Sequence, residues 1–545
     1  MKKSPLSKCG ARLAPMFALL AAGTFSALAT PYATCLTNNA GIISFRLNQT
    51  NAEVHVIYNG GASVTNLGSL PAGLTVTNLG ITGNFKVKVA GSAPAGYVQI
   101  SADTDYKYLF ANPRGLSINK NHGSPNFGRV YVSANNGVAG GVRTTTKGIY
   151  ILNADGSDPL GQGDTARLGG LQVVPFGDAA SPEKITVGQD DMIYMCDRTD
   201  ANGGLFVTDA DVSTNSLATN ALFGIGGPAI LTTNFHGSLE AVWVEGSQTA
   251  GNLKIYTIDE DYQPDGSQKH SLWRFDVGNL PFPYSTNDNS TPVTLLQTPI
   301  INAGNAAFND IVRGGVSNYF YRMQVAASGF QPGIYVLDAA GVEVTNSLSW
   351  TTNASGNTAA TDICKTSQAL DISWDGKKLI NLRGLVSSVA QPAKLITIAP
   401  DGTIDLSITN DLVLSPTGQQ NTAQRDVAFD PAGNIYAVNS TGNLLRIFAR
   451  GGNSIATTGS DGTFSIDEPT TITAVNLISG GTQMQIDFTG PIDAGAYYYK
   501  LQSSGTINGT YTDTADTVTR LSSGVFRVVT SVSPGANQFF KIHQP

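Results

Sequence analysis

Arg425-Asp-Val-Ala-Phe-Asp430-Pro-Ala-Gly-Asn-Ile-Tyr-Ala-Val438, followed by Asn443-Leu-Leu-Arg-Ile-Phe448, is the stretch that decides the fold. Its grammar is a short strand, a turn, a second strand and then a third. Asp-Pro-x-Gly-Asn is the turn, since Gly and Asn supply φ > 0. An earlier copy reads Arg114-Gly-Leu-Ser-Ile-Asn119, Gly128-Arg-Val-Tyr-Val132 and Gly148-Ile-Tyr-Ile-Leu152, with a turn at Asp155-Gly156.

Looser copies begin at Lys184-Ile-Thr-Val187, Glu240-Ala-Val-Trp243, Asp310-Ile-Val312 and Asp371-Ile-Ser-Trp374. Their third strands are Gly204-Leu-Phe-Val207, Ser271-Leu-Trp-Arg-Phe275, Gly333-Ile-Tyr-Val-Leu337 and Lys394-Leu-Ile-Thr-Ile398. The six units start roughly 55 to 70 residues apart. A period of that length with about four short strands per unit is the mark of propeller blades, because a unit so small buries its faces only against neighbours. The expectation is an all-β chain, a six-bladed β-propeller flanked by N- and C-terminal Ig/fibronectin-like β-sandwich domains. A stacked array of sandwiches is the rival arrangement.

The units at Arg114 and Arg425 resemble NHL-type and related six-bladed propellers such as the gluconolactonase group. That group's metal site takes a Glu early in the first blade together with later Asn and Asp residues. This chain departs from the pattern there, with Arg114-Gly115 at the first-blade position.

Both flanks keep a strand rhythm without the repeat. Ile43, Phe45 and Leu47 share one face, as do Val54, Val56 and Tyr58, then Phe85, Val87 and Val89. Such period-two runs broken by glycine pairs predict a small sandwich. The stretch Ile42 to Gly60 resembles Ig-like hook-capping modules of secreted bacterial proteins. Near the other end Met484, Ile486 and Phe488 alternate, followed by Tyr497-Tyr-Tyr-Lys-Leu501, Val525-Phe-Arg-Val-Val529 and Gln538-Phe-Phe-Lys-Ile542. With Ser504-Gly-Thr-Ile-Asn-Gly-Thr-Tyr-Thr512 this part is similar to domains that end many exported proteins of verrucomicrobia, which implies display or sorting. The expected division is a signal peptide over 1–29, an Ig-like sandwich over 30–104, the propeller over 105–466 and a fibronectin/Ig-like sandwich over 467–545.

The signal is read from Lys2, Lys3, Lys8 and Arg12, then an apolar run from Leu13 to Leu28, then Ala27-Leu28-Ala29, which fits the small-x-small cleavage rule. The mature chain is expected to begin near Thr30 and to carry no later membrane span. Export would place it extracellularly, at the cell surface or in the periplasm. Charged residues make up 13%, about half the usual share, and the net charge of −7 excludes a nucleic-acid surface. Cys35, Cys196 and Cys364 allow at most one disulfide and show no C-x-x-C spacing.

Familiar catalytic signatures are absent: no H-E-x-x-H, no G-x-S-x-G, no P-loop, and five His with no two at ligand spacing. What the repeat does offer is a ring. The residue before the apolar core of each first strand is Gly115, Lys184, Glu240, Asp310, Asp371 and Asp426, with Arg114 and Arg425 one residue earlier in their units. Equivalent positions of innermost strands meet around the axis. Arg114, Lys184, Glu240, Asp310, Asp371, Arg425 and Asp426 are therefore the candidate ligand-binding residues. Of these, Glu240, Asp310, Asp371 and Asp426 are candidate ligands for a hard cation such as Ca2+, which prefers clustered oxygens. The alternative is structural: such carboxylates close onto loop and neighbour N–H groups along a wet tunnel. Asp261, Gln263, Asp265 and Gly266 echo an EF-hand start, but the twelfth position is Leu272, so a solvated acidic turn is the simpler reading. Phe282-Pro-Tyr284 and Tyr319-Phe-Tyr321 are candidates for stacking on sugar rings or for core packing.

Together these features predict an exported protein that binds a glycan or protein ligand on one face. A metal-dependent hydrolase or lyase acting on lactones or polysaccharides is the alternative. A structural component of the cell surface is a third possibility.

Overall fold

The computed structural model describes residues 30–544 except 136–146, 161–181, 199–203, 219–220, 223–238, 260–269, 283, 285–292, 301–308, 315–317, 325–331, 351–361, 387–388, 415–423, 469 and 534–536. The expected signal segment, the EF-hand-like positions Asp261, Gln263, Asp265 and Gly266, and the run Ser285–Thr291 lie outside the described residues. Those that are described form many antiparallel sheets, with helical turns of three residues only. None is a helix long and apolar enough to cross a membrane.

Six of the sheets follow the repeat. Sheet I contains Pro113–Ile118, Val130–Ala134 and Gly148–Leu152; sheet II contains Ile185–Val187, Ile193–Asp197 and Gly204–Thr208. Sheet III runs Leu239–Glu245, Leu253–Asp259, His270–Gly278 and Val293–Ile300, and sheet IV runs Asn309–Gly314, Tyr319–Gln324, Ile334–Leu337 and Glu343–Asn346. Sheet V is built from Ser367–Ile372, Lys378–Arg383, Ala393–Ile398 and Ile404–Leu412. Sheet VI starts with Gln424–Phe429, Ile435–Asn439 and Leu444–Gly459. The quoted turn forms as its residues dictate. Asp430 Oδ1 accepts from the N–H groups of Ala432 and Asn434, and Gly433 takes φ 80°.

The first strands pack side by side in chain order, and that of sheet VI packs against that of sheet I. Each junction has its own apolar core. Tyr131 and Ile149 meet Ile193 and Met195 between sheets I and II, and Val207 meets Val242 and Ile255 between II and III. Ala241 and Ile258 meet Ile311 and Phe320 between III and IV, then Met323 and Val336 meet Leu370 and Leu379 between IV and V. Ile380 and Leu395 meet Val427 and Phe429 between V and VI. Leu116 and Val132 of sheet I meet Ala428, Tyr436 and Val438 of sheet VI. At about 1.5–3 kcal/mol for each fully buried aliphatic or Phe side chain, these seams hold the six units together.

The flanking strands join this body in two ways. Phe85–Gln99 pairs along Leu444–Gly459, so sheet VI continues through Phe85–Gln99 into Ala52–Tyr58 and Ser63–Leu70. A second layer, Ala33–Asn39, Ile42–Leu47 and Gly73–Asn78, packs Ile43, Phe45 and Leu47 against Val54, Val56, Val87 and Val89. At the other end, two sheets enclose Ile486, Phe488, Leu501, Phe526 and Val528. That part attaches through side chains. Asp493 takes Lys378 Nζ at 2.6 Å and Arg450 Nη2 at 2.9 Å, both from the six-sheet body. The thiols of Cys35, Cys196 and Cys364 are free, the last two buried.

Candidate functional site

The first strands enclose a cavity of about 570 Å3 that reaches the hairpins joining first to second strands. Its wall alternates aliphatic residues such as Ile118, Ile185, Val242 and Ile372 with charged ones. Lys184 lies in the middle. Its Nζ donates to Asp310 Oδ2 at 2.8 Å and to Asp426 Oδ1 at 2.6 Å, and all three side chains are buried. Burial disfavours the ammonium, but the two carboxylates outweigh it and hold Lys184 above the ordinary lysine range. Burial, reinforced by the charge of Asp310, raises Asp426 to about 7 in spite of Lys184.

Neighbouring first strands belong to separate sheets, so their inward backbone groups lack ladder partners. The carboxylates supply them. Asp310 Oδ2 accepts from Leu370 N–H at 3.2 Å, Asp371 Oδ2 from Phe429 N–H at 2.7 Å, and Asp426 Oδ2 from Leu116 N–H at 2.7 Å. Each bond spans from one sheet to the next. Sheet I has Gly115 at this level because its backbone approaches Glu183: Gly115 N–H donates to Ser133 Oγ at 2.6 Å, and that hydroxyl donates to Glu183 O at 2.8 Å. A Cβ at Gly115 would collide with the Glu183 carbonyl.

The single ring of carboxylates expected from the repeat is split by register. Asp310 pairs with Met323, one rung from the Asn309–Gln324 end of its strand. Asp371 pairs with Ile380, three residues from Arg383 at the Ser367 end, and so sits two rungs nearer the hairpins. There Lys120 Nζ meets Asp371 Oδ2 at 2.7 Å and Ile372 O at 3.1 Å. Burial raises the Asp371 carboxyl, opposed by Lys120. Glu240 turns elsewhere: its Oε2 takes His270 Nδ1 at 2.9 Å and Asn309 Nδ2 at 2.5 Å, and Arg198 Nε lies 3.7 Å from Oε1. Arg114 Nη1 stands 3.6 Å from Glu183 Oε2. Arg425 donates to Ser440 Oγ at 3.2 Å, and burial together with the charge of Arg114 lowers it to about 10.

These residues do not fit one hard-cation centre. Among the described residues no three His, Cys, Asp or Glu side chains gather around a common point. The space between Asp310 and Asp426 holds an ammonium instead.

Four residues at the cavity mouth were not legible as a site. The first hairpin of sheet I runs from Asn119 to Arg129, longer than the Asp430–Asn434 turn, and brings Lys120, Asn121 and His122 to the cavity. In sheet V the strand stops at Ile372, and Trp374 falls in the turn closed by Gly376 N–H on Ser373 O. Trp374 is 39% exposed, the largest apolar side chain so placed on the cavity wall. Its ring is held edge-on by Phe464 at 5.5 Å and by His122 at 6.0 Å. An aromatic one residue before an Asp-Gly turn was the available signal. The aromatic candidates are core instead: Tyr284, Phe320 and Tyr321 are buried, and Phe282 packs against Tyr194.

No family model matches the chain, and no curated protein matches it. Among solved structures, the chain is similar to a structural-genomics protein of unknown function from Bacteroides thetaiotaomicron, at 12% identity and a TM-score of 0.38, covering 77% of this chain and 98% of that one. It is also similar to a Trichoderma reesei protein of Carbohydrate-Active Enzymes Family AA12. The calcium structure gives 10% identity, a TM-score of 0.36 and coverage of 66% and 99%; the iodide structure gives 13%, 0.24 and coverage of 76% and 97%. Likeness at this level is compatible with a β-rich fold and says nothing of chemistry.

Proposed function

We propose that the six sheets are the blades of a propeller, that the chain is exported, and that the mouth of the axial cavity binds a neutral polar ligand of the glycan class. The observation that carries this reading is the contrast between a charge-balanced wall and an exposed indole at the rim. Lys120, Lys184 and Arg313 are the cationic lining residues, and Asp310, Asp371 and Asp426 the anionic ones, three of each. The cations are already engaged: Lys120 with Asp371, Lys184 with Asp310 and Asp426, and Arg313 with Glu245 at 2.5 Å. At Lys120 and Lys184 an anion would have to displace a buried partner, which costs several kcal/mol. A pyranose asks for less: an aromatic face and a few amide and hydroxyl partners. Trp374 offers the first, and Asn121, Gln189 and Ser373 offer the second. The sandwich-like flanks then act as spacers or display modules.

The test is a glycan array with neutral and uronate-containing oligosaccharides. Binding to neutral members that falls at least tenfold in Trp374→Ala supports the reading. Uronate-selective binding, or binding indifferent to Trp374→Ala, sinks it.

A second reading, hydrolysis or β-elimination of a lactone or polysaccharide, draws on the His270–Glu240–Asn309 group. A carboxylate on Nδ1 fixes the tautomer and orientation of an imidazole, as a general base requires. Turnover of a lactone or uronate polymer that disappears in His270→Gln and survives Trp374→Ala would favour the enzyme.

A further inference from the structure

Thr30 is held by every polar atom it has. Its N–H donates to Asn434 Oδ1 at 3.1 Å, and its carbonyl accepts from Asn434 Nδ2 at 3.1 Å and Asn48 Nδ2 at 3.3 Å. Its hydroxyl donates to Arg450 O at 3.3 Å, and the residue is 1% exposed. Asn434 belongs to the Asp430-Pro-Ala-Gly-Asn turn. It passes the contact on: Asn434 Nδ2 also donates to Asp430 Oδ2 at 2.7 Å. Asp430 is fully buried, and among the described residues no ion pair includes it. Burial raises its carboxyl to about 7. Thr30 also borders a cavity of about 140 Å3 whose lining includes Arg450, Glu468 and Asp493.

The charge of Lys120 reaches Asp430 only from a distance; a buried carboxylate with no cation in contact is a costly arrangement, and a buried amide nitrogen one side chain away is a place for that cation. We propose that the peptide bond between Ala29 and Thr30 is hydrolysed during maturation and that Asn434 with Asp430 forms a socket for the α-ammonium so produced. Water adds its hydroxyl to the Ala29 carbonyl carbon, the C–N bond breaks with the water proton going to the departing nitrogen, and the new carboxyl gives its own proton to the amine, leaving an Ala29 carboxylate and a Thr30 ammonium. The ammonium keeps the bond to Asn434 Oδ1 and places a positive charge beside Asp430. Processing then strengthens the joint between the first strand and sheet VI. The inference rests on the exported reading for its biological cut, but the socket is testable without it.

The experiment prepares the full chain from Thr30 onward with a free amine, the same chain acetylated at Thr30, and a chain retaining Ala27-Leu28-Ala29. The free-amine form is expected to melt about 2–4 °C above the other two. Asp430→Asn should erase that difference. Reductive methylation of the Thr30 amine in the folded protein should be at least tenfold slower than after unfolding, a readout that needs no variant. Equal melting temperatures, a difference that survives Asp430→Asn, or an amine methylated equally fast when folded would overturn the socket. N-terminal sequencing of material exported by a host tests the cut separately. A start at Thr30 supports it, and a start elsewhere overturns the cut while leaving the socket result standing.

Discussion

The deep part of the cavity and its mouth use similar residues for different ends. Deep inside, Asp310, Asp371 and Asp426 each accept a backbone N–H from the next sheet, and Lys184 bridges two of them. Every charge there is consumed by the chain itself. At the mouth, His122 and Phe464 brace Trp374 while leaving it 39% exposed. The difference teaches that a ring of carboxylates on innermost strands is first an answer to unpaired backbone groups. On the proposed reading, recognition falls to residues such as Trp374 that the fold does not need.

The largest test of that contrast is Asp426→Ala. It removes one partner of a buried ion pair and orphans Leu116 N–H, so about 3–5 kcal/mol of stability should vanish in denaturant titrations. Ligand affinity per folded molecule should not change. A loss of affinity at full stability would put the deep carboxylates in the recognition site.

Next in size is the pH response. The Asp426 carboxyl is raised by burial to about 7, so the folded state holds a proton that the unfolded chain releases near pH 4. Stability from this group is present at low pH and lost as pH rises from about 4 through 7, by at most about 1.4 kcal/mol per pH unit. Chemical denaturation across that window should show the decline in the wild type and a flatter profile in Asp426→Asn. An unchanged slope would detach the effect from the triad.

Smaller still is the stability cost of Trp374→Ala, about 1 kcal/mol or less for a rim residue, against a tenfold or greater loss of ligand affinity. Gly115→Ala sharpens the comparison from the other side. A methyl group against the Glu183 carbonyl should lower the melting temperature and leave affinity per folded molecule intact.

Much of this architecture was legible in the chain. The Asp430-Pro-Ala-Gly-Asn434 turn and the copy at Arg114 located strands that the structure places within a residue or two, and all six units are antiparallel sheets. Period-two alternation gave the apolar faces of both flanks correctly. The ring was half legible. Residue type marked the positions as axial, but bulges between Ser367 and Ala369 and between Gln424 and Asp426 shift the register, and sequence spacing does not reveal a bulge. Lys120 and His122 were hidden because they sit in an insertion that breaks the repeat, and Trp374 because it reads as the last residue of a strand. The bond from Phe85–Gln99 to sheet VI was hidden for another reason: it joins residues more than 300 apart, and pairing at that distance leaves no local pattern.

The most direct measurement is a calorimetric titration of neutral oligosaccharides against the wild type, Trp374→Ala and Asp426→Ala at matched folded concentrations. Wild-type affinity is expected in Asp426→Ala and at least a tenfold loss in Trp374→Ala. Undiminished binding by Trp374→Ala together with lost binding by folded Asp426→Ala would contradict both expectations.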